Sequence, residues 1–199
     1  MAIMGVCAAA HAVVVLSDKG LPKQQDVWDR TDLPAKMKER VSDMLGDRRH
    51  QEAIQTLRNY LRYYPQNGDM RRLLGKVLFD SGRYDEARNA YYAALLNDPE
   101  DFVARNNMGV VLMKQGRGED ALREFKDAFD ASGQEAFIAA NLAICHERTG
   151  NSAEAASLRD MVSEGGSGEL TIPEDALMLA DAETVRKLRA GKKTAAERP

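Results

Sequence analysis

Apolar residues in this chain recur at helical spacing, in runs of about one helix each that stop at Gly or Pro. Leu74, Val77 and Leu78 make one run, and Ala87, Tyr91, Ala94 and Leu95 make the next. Each run gives an amphipathic face that needs a neighbour to bury it. Gly82, Gly116 and Gly150 stand where the first helix of a pair should end, because Gly relieves the left-handed backbone favoured just past a helix C-terminus. Pro65 and Pro99 close second helices, since Pro cannot continue a helix and pushes the residue before it out of the helical region. The pattern predicts helix-turn-helix pairs.

The pairs repeat. Ala53, Ala87, Ala121 and Ala155 fall at a fixed interval of 34 residues, and a period of that size marks a stacked helical array. Around Ala87 stand Leu74-Gly75, Leu78, Gly82, Tyr84, Tyr91, Ala94 and Pro99; around Ala121 stand Met108-Gly109, Leu112, Gly116, Phe125 and Ala128. Outer units are more worn. The first keeps Met44, Ala53, Leu57 and Pro65 but has Arg48 in the place of Gly82 and His50 after the turn; the fourth keeps Leu142-Ala143, Gly150 and Ala155. Small residues such as Ala87 and Ala121 let the two helices of a unit approach closely, so a larger side chain there should cost about 1–3 kcal/mol through overpacking.

On these residues the chain resembles the tetratricopeptide repeat family. The resemblance implies an all-α fold: a right-handed α-solenoid of about four helix-turn-helix units with a C-terminal capping or tail helix. The units are expected at 34–67, 68–101, 102–135 and 136–165, within a repeat domain of 34–165. Asp32, ahead of Leu33-Pro34, is the expected N-cap of the first helix.

Both ends differ from the repeats. Residues 1–16 are apolar apart from His11, and three readings compete. The run is short for a membrane span, which needs roughly 18–20 residues. Ala10-His11-Ala12 resembles a signal cleavage site but lacks positive residues in front. A lipidated Cys7 would follow Val6, which is large for that position. An envelope location, anchored or exported, is the expectation, with a cytoplasmic one as the alternative. Residues 17–33 read as a linker, in which Trp28 packs on the open edge of unit one. After unit four, Gly165-Gly166-Ser167-Gly168 is a hinge. Beyond it, 166–183 hold five acids and no base, while 184–199 hold six bases and one acid. That polarity suits a helix dipole, and Leu177, Met178, Ala182, Val185 and Leu188 share one helical face. The segment 166–199 could cap unit four, fill the protein's own groove or bind a partner or surface.

Composition narrows the chemistry. The 199 residues are 44% hydrophobic and 30% charged with a net charge of −3, as in an ordinary globular fold, and show no basic stripe for nucleic acid. Cys7 and Cys145 form no CxxC or zinc-type spacing. His11, His50 and His146 are scattered, and neither GxxxxGK[ST] nor GxGxxG occurs. The expectation is no enzyme, no metal and no cofactor; His146 and Cys145 read as core.

Recognition is then expected of the surface that stacking creates, a groove that can hold a peptide or helix. By the family resemblance, the second, fifth, ninth and twelfth residues of each unit face inward, with the sixth at the border. That nominates Lys38 and Ser42; Asp69, Arg72, Lys76 and Phe79; Val103, Asn106, Asn107, Val110 and Met113; and Phe137, Ala140, Asn141, Ile144 and Glu147. The groove so drawn is basic at one end and apolar at the other. Its partner is expected to be a protein segment, extended or helical, with acids facing Arg72 and Lys76 and apolar residues on Val110, Met113, Phe137 and Ile144. Asn107 and Asn141 resemble a ladder that hydrogen-bonds a peptide backbone, or are tolerated polar residues at a helix edge. Ser42 and Val110 depart from the carboxylate clamp that docks chaperone C-termini. The functional expectation is a scaffold or adaptor, loosely similar to small repeat proteins of bacterial pilus and secretion assemblies, with membrane association through 1–16. The alternative is a self-associating module, a homo-oligomer or a chain whose groove holds its own C-terminal helix.

Overall fold

A computed structural model describes residues 33–164, and the predicted features of 1–32 and 165–199 lie outside the described residues. Eight α-helices and no strand occur among the described residues. They are α1 (Leu33–Gly46), α2 (His50–Tyr63), α3 (Gly68–Asp80), α4 (Tyr84–Asn97), α5 (Phe102–Lys114), α6 (Gly118–Ser132), α7 (Ala136–Arg148) and α8 (Ser152–Glu164). The described residues fall into two units: a short one that ends at Arg40 within α1, and a helical array from Val41 onward. In the short unit Met37 is buried while Lys36 and Lys38 are exposed.

The Gly and Pro marks act as their chemistry requires. Gly82, Gly116 and Gly150 have φ of 73°, 73° and 88°. In each case the next residue's N–H reaches back to close the helix end: Arg83 to the Leu78 carbonyl (2.9 Å), Arg117 to Leu112 (2.9 Å) and Asn151 to His146 (2.8 Å). These are Schellman closures. The first turn makes the same closure without a glycine, for Arg49 N–H bonds the Met44 carbonyl at 2.7 Å and Arg48 is held at φ 60°. A side chain in the left-handed region costs about 1–2 kcal/mol. The second helices α2 and α4 end at Tyr63 and Asn97, two residues before Pro65 and Pro99.

Two first helices begin on a side-chain cap. Asn67 accepts from the Met70 N–H (3.0 Å) and Asp101 from the Ala104 N–H (3.0 Å), each worth about 1 kcal/mol. The second helices α2, α4 and α6 begin differently, on Arg49, Arg83 and Arg117, none of which makes a side-chain cap bond. Each of these arginines pairs instead with an acid three residues on, Glu52, Glu86 or Asp120. The acids sit in the first helical turn, where they also favour the helix dipole. Arg83 bonding holds the Glu86 carboxyl below its usual range, and Arg117 does the same for Asp120.

Within the array each second helix packs on its own first helix and on the first helix of the next unit: α4 lies against α3 and α5, α6 against α5 and α7. Neighbouring first helices α3, α5 and α7 also touch one another. Close approach within a unit depends on glycine. A Cβ at Gly75 would stand 2.7 Å from the Tyr91 ring, and one at Gly109 would stand 2.8 Å from Phe125. Both rings are wholly buried, so neither can swing aside. Ala53, Ala87, Ala121 and Ala155 are buried as well. Burial, with Asp80 adding to it, pushes the Tyr91 phenol far above its ordinary pKa.

Candidate interaction surface

Three first helices place the nominated residues in a row, and what each one touches decides what it can offer. On α3, Arg72 donates to Asp69 on its own helix and to Asp101 at the start of α5. The Asp101 side chain is only 5% exposed and Arg72 is 18% exposed. Arg72 is therefore committed to closing the α3–α5 junction. Because Asp101 also caps α5, the pair fixes both the spacing of two units and the start of a helix. Lys76 Nζ lies 3.3 Å from Asp80, four residues on, a half-exposed pair worth well under 1 kcal/mol. The basic end expected of the groove is thus largely neutralised from within, and the correction has a local cause: each cation finds an acid on its own helix, three or four residues away. A charge reversal at Arg72, expected from sequence to leave folding intact, would face the buried carboxylate of Asp101.

Phe79 is half-buried. Its ring centroid lies 5.3 Å from that of Tyr84, tilted by 58°, and it packs on the cluster of Val110, Leu112, Ala121, Phe125, Leu142 and Cys145. Met113 leans on the same cluster, with Cys145 Sγ 3.5 Å from its sulfur. Burial pushes the Cys145 thiol up to about 11. Val103 and Phe137 share a second cluster with Ala128 and Ile138. Ile144 is buried; Ala140 is half-buried; Ser42 and Glu147 are exposed, Glu147 being paired with Arg159. Lys38 belongs to the short unit before Val41 and is exposed there.

The asparagines form a bridge. Asn141 Nδ2 on α7 donates to Asn106 Oδ1 on α5 at 2.8 Å, and Asn106 Nδ2 donates to Asn107 Oδ1 at 3.1 Å. All three are buried. A buried amide is stable only when its hydrogen-bonding groups are used, so the chain of amides ties the third unit to the fourth. Asn107 and Asn141 hold the same place in the 34-residue period, as expected. Asn106 is the hinge of the network and takes the cross-helix bond that the sequence reading gave to a peptide backbone. The fully buried first helices also explain why α5 and α7 are apolar around most of their circumference.

Arg49, Arg83 and Arg117 escaped the sequence reading although they too recur at 34 residues. The signal was present. A charged residue at a turn draws less notice than an Ala or Gly, yet here the Arg-acid pairs organise every turn from the first to the third. Further ties link successive units on the second-helix side, where Arg58 pairs with Glu86 and Arg105 with Glu124 and Asp127. Burial raises the Glu124 carboxyl against the pull of Arg105.

Among the described residues, no group of three or more His, Cys, Asp or Glu is placed to hold a metal. No described helix is long and apolar enough to cross a membrane. The helix pairs, the 34-residue spacing of their buried Ala residues and the glycine closures meet a family-level match: a model of the tetratricopeptide repeat covers residues 40–102 and 106–165. The chain belongs to the tetratricopeptide repeat family. Solved structures agree on the fold. The chain is similar to MamA, residue 41 to the end, from Desulfovibrio magneticus RS-1, at 19% identity and TM-score 0.59 over 66% of this chain and 74% of that one. A further MamA crystal structure is 14% identical, with TM-score 0.58 over 79% of this chain and 97% of that one. MamA AMB-1 is 22% identical, with TM-score 0.55 over 62% and 73%. No curated protein matches the sequence. Tetratricopeptide repeats form a protein-interaction fold, and on that basis this all-α array is an interaction scaffold.

Proposed function

We propose that the protein is an adaptor whose first-helix row, on α3, α5 and α7, receives an apolar helical or extended segment of a partner protein. The observation that carries this reading is the row itself: Phe79, Val110 and Met113 adjoin one apolar cluster across α3, α5 and α7, and the Asn106–Asn141 bridge holds α5 and α7 in fixed register beside it. A register fixed before binding lowers the ordering cost of capturing a segment. The partner's contact is mainly apolar, since Arg72 and Lys76 are already engaged by Asp69, Asp101 and Asp80. We place the repeat domain at 34–165, and an assembly role at the bacterial envelope remains the setting that residues 1–16 favour.

The test uses the two half-buried members of the row. Phe79→Glu with Met113→Glu should abolish co-purification of the partner from the native cell while circular dichroism stays helical. The matched control is Tyr92→Glu with Leu96→Glu, at exposed positions on α4 (54% and 67% exposed), and it should leave co-purification unchanged. Loss of the partner in the control alone would move the binding surface to the second helices.

A further inference from the structure

The first-helix row changes character along the array. On α3 its members Asp69, Arg72, Lys76 and Phe79 are all half-buried. On α5, Val103, Asn106 and Val110 are buried, and on α7 so are Phe137, Asn141 and Ile144, each at 6% exposure or less. The described helices packed on α5 are α3, α4, α6 and α7, and those on α7 are α5, α6 and α8. In a stack of this kind second helices lie to one side of a first helix and other first helices flank it. One strip of each first helix is left over, and burial of that strip on α5 and α7, but not on α3, calls for a covering segment at one end of the row only.

The chain itself supplies a segment of the right chemistry at that end. α8 stops at Glu164, Gly165-Gly166-Ser167-Gly168 follows, and Leu177, Met178, Ala182, Val185 and Leu188 then fall on one helical face. The nine residues 165–173, at about 3.3 Å each, reach roughly 30 Å. Helices pack about 8–10 Å apart, so this reach covers α7 and α5. α3 stands one helix spacing further off. Resting on the docking-face reading above, we propose that residues 173–190 dock their apolar face on the α5–α7 half of the row and keep it closed, leaving the α3 end open. A partner then engages the open end first and must displace the tail to occupy the rest.

Hydrogen exchange on the full chain tests this. Amides of 174–190 should exchange at least about tenfold slower than free peptide, and Ala140→Arg, at a half-buried row position on α7, should return them to the free rate while α5–α8 stay protected. Leu177→Asp with Val185→Asp alters only the tail; it should raise hydroxyl-radical labelling of Phe137 and Ile144 several-fold and leave Leu158 unchanged, which keeps the test informative if Ala140→Arg fails to fold. Three results overturn the proposal: free-peptide exchange in the unaltered chain, protection lost only on Ala156→Arg at the exposed surface of α8, or protection that rises with protein concentration and so comes from a second copy. No partner enters this experiment. A tail that fails to dock leaves the adaptor reading standing, and a partner that ignores Phe79 and Met113 leaves the tail result standing.

Discussion

Between α3 and α4 the helices meet where Gly75 lies against the ring of Tyr91, and between α5 and α6 Gly109 lies against Phe125. At the same places in the period the first unit has Val41 and Leu57, and the fourth has Ala143 and Arg159. The middle units are closed by a large flat ring over a residue with no side chain. In the outer ones a branched pair or a shorter contact serves, and Arg159 turns outward to bind Glu147. A middle unit must mate with a neighbour on both sides, so its two helices are held at one close distance; an outer unit has a free side and tolerates looser geometry. The same contrast recurs at the turns, where Gly82 and Gly116 take the left-handed position and Arg48 takes it in the first unit.

Substitutions can sharpen or break this contrast. The largest effect is expected at the junction of the second and third units: Arg72→Glu should cost about 3 kcal/mol or more, because it leaves the buried Asp101 facing a like charge. Urea denaturation should show it as a lower midpoint at unchanged slope, and Lys38→Glu, on the exposed surface of α1, should move the midpoint little. Next comes Gly109→Val, with a loss of about 2–3 kcal/mol from overpacking against Phe125. The matched change in the fourth unit, Ala143→Val, should cost less if the outer unit yields more easily. Equal losses would erase the distinction between middle and outer units.

A smaller effect is expected at the amide bridge. Asn141→Ala removes the donor to Asn106 and should cost about 1–3 kcal/mol, while Asn141→Gln, which keeps an amide, should recover part of it. The smallest change is a gain. Arg48→Gly relieves the left-handed backbone of the first turn and should stabilise the chain by roughly 0.5–1 kcal/mol after the extra freedom of Gly in the unfolded state is counted. Thermal melting should show the rise, and Gly82→Arg should lower stability by a similar or larger amount.

Much of this fold was legible in the sequence because its determinants are short-range. A glycine that ends a helix, a proline that follows one and an Ala every 34 residues all act within a turn or a helix pair, so the all-α repeat array could be read from spacing. The purpose of Gly75 and Gly109 was harder to read, since it appears only when Tyr91 and Phe125 are seen lying on them from the next helix. The row was legible as a set of positions and not as a set of partners. Whether Arg72 greets a ligand or holds Asp101 depends on a contact 29 residues away, and no local pattern encodes it. The amides show the same limit, because the period pairs Asn107 with Asn141 whereas the packing of α5 on α7 brings Asn106 to Asn141.

The central claim is that recognition belongs to the first-helix row and not to the outer face of the second helices. Placing the photoreactive residue p-benzoylphenylalanine at position 79 or 113, and separately at 92 or 96, in the full chain inside its native cell tests it most directly. A cross-linked partner from 79 and 113 and none from 92 and 96 is the predicted result. Cross-links from 92 and 96 alone would contradict it.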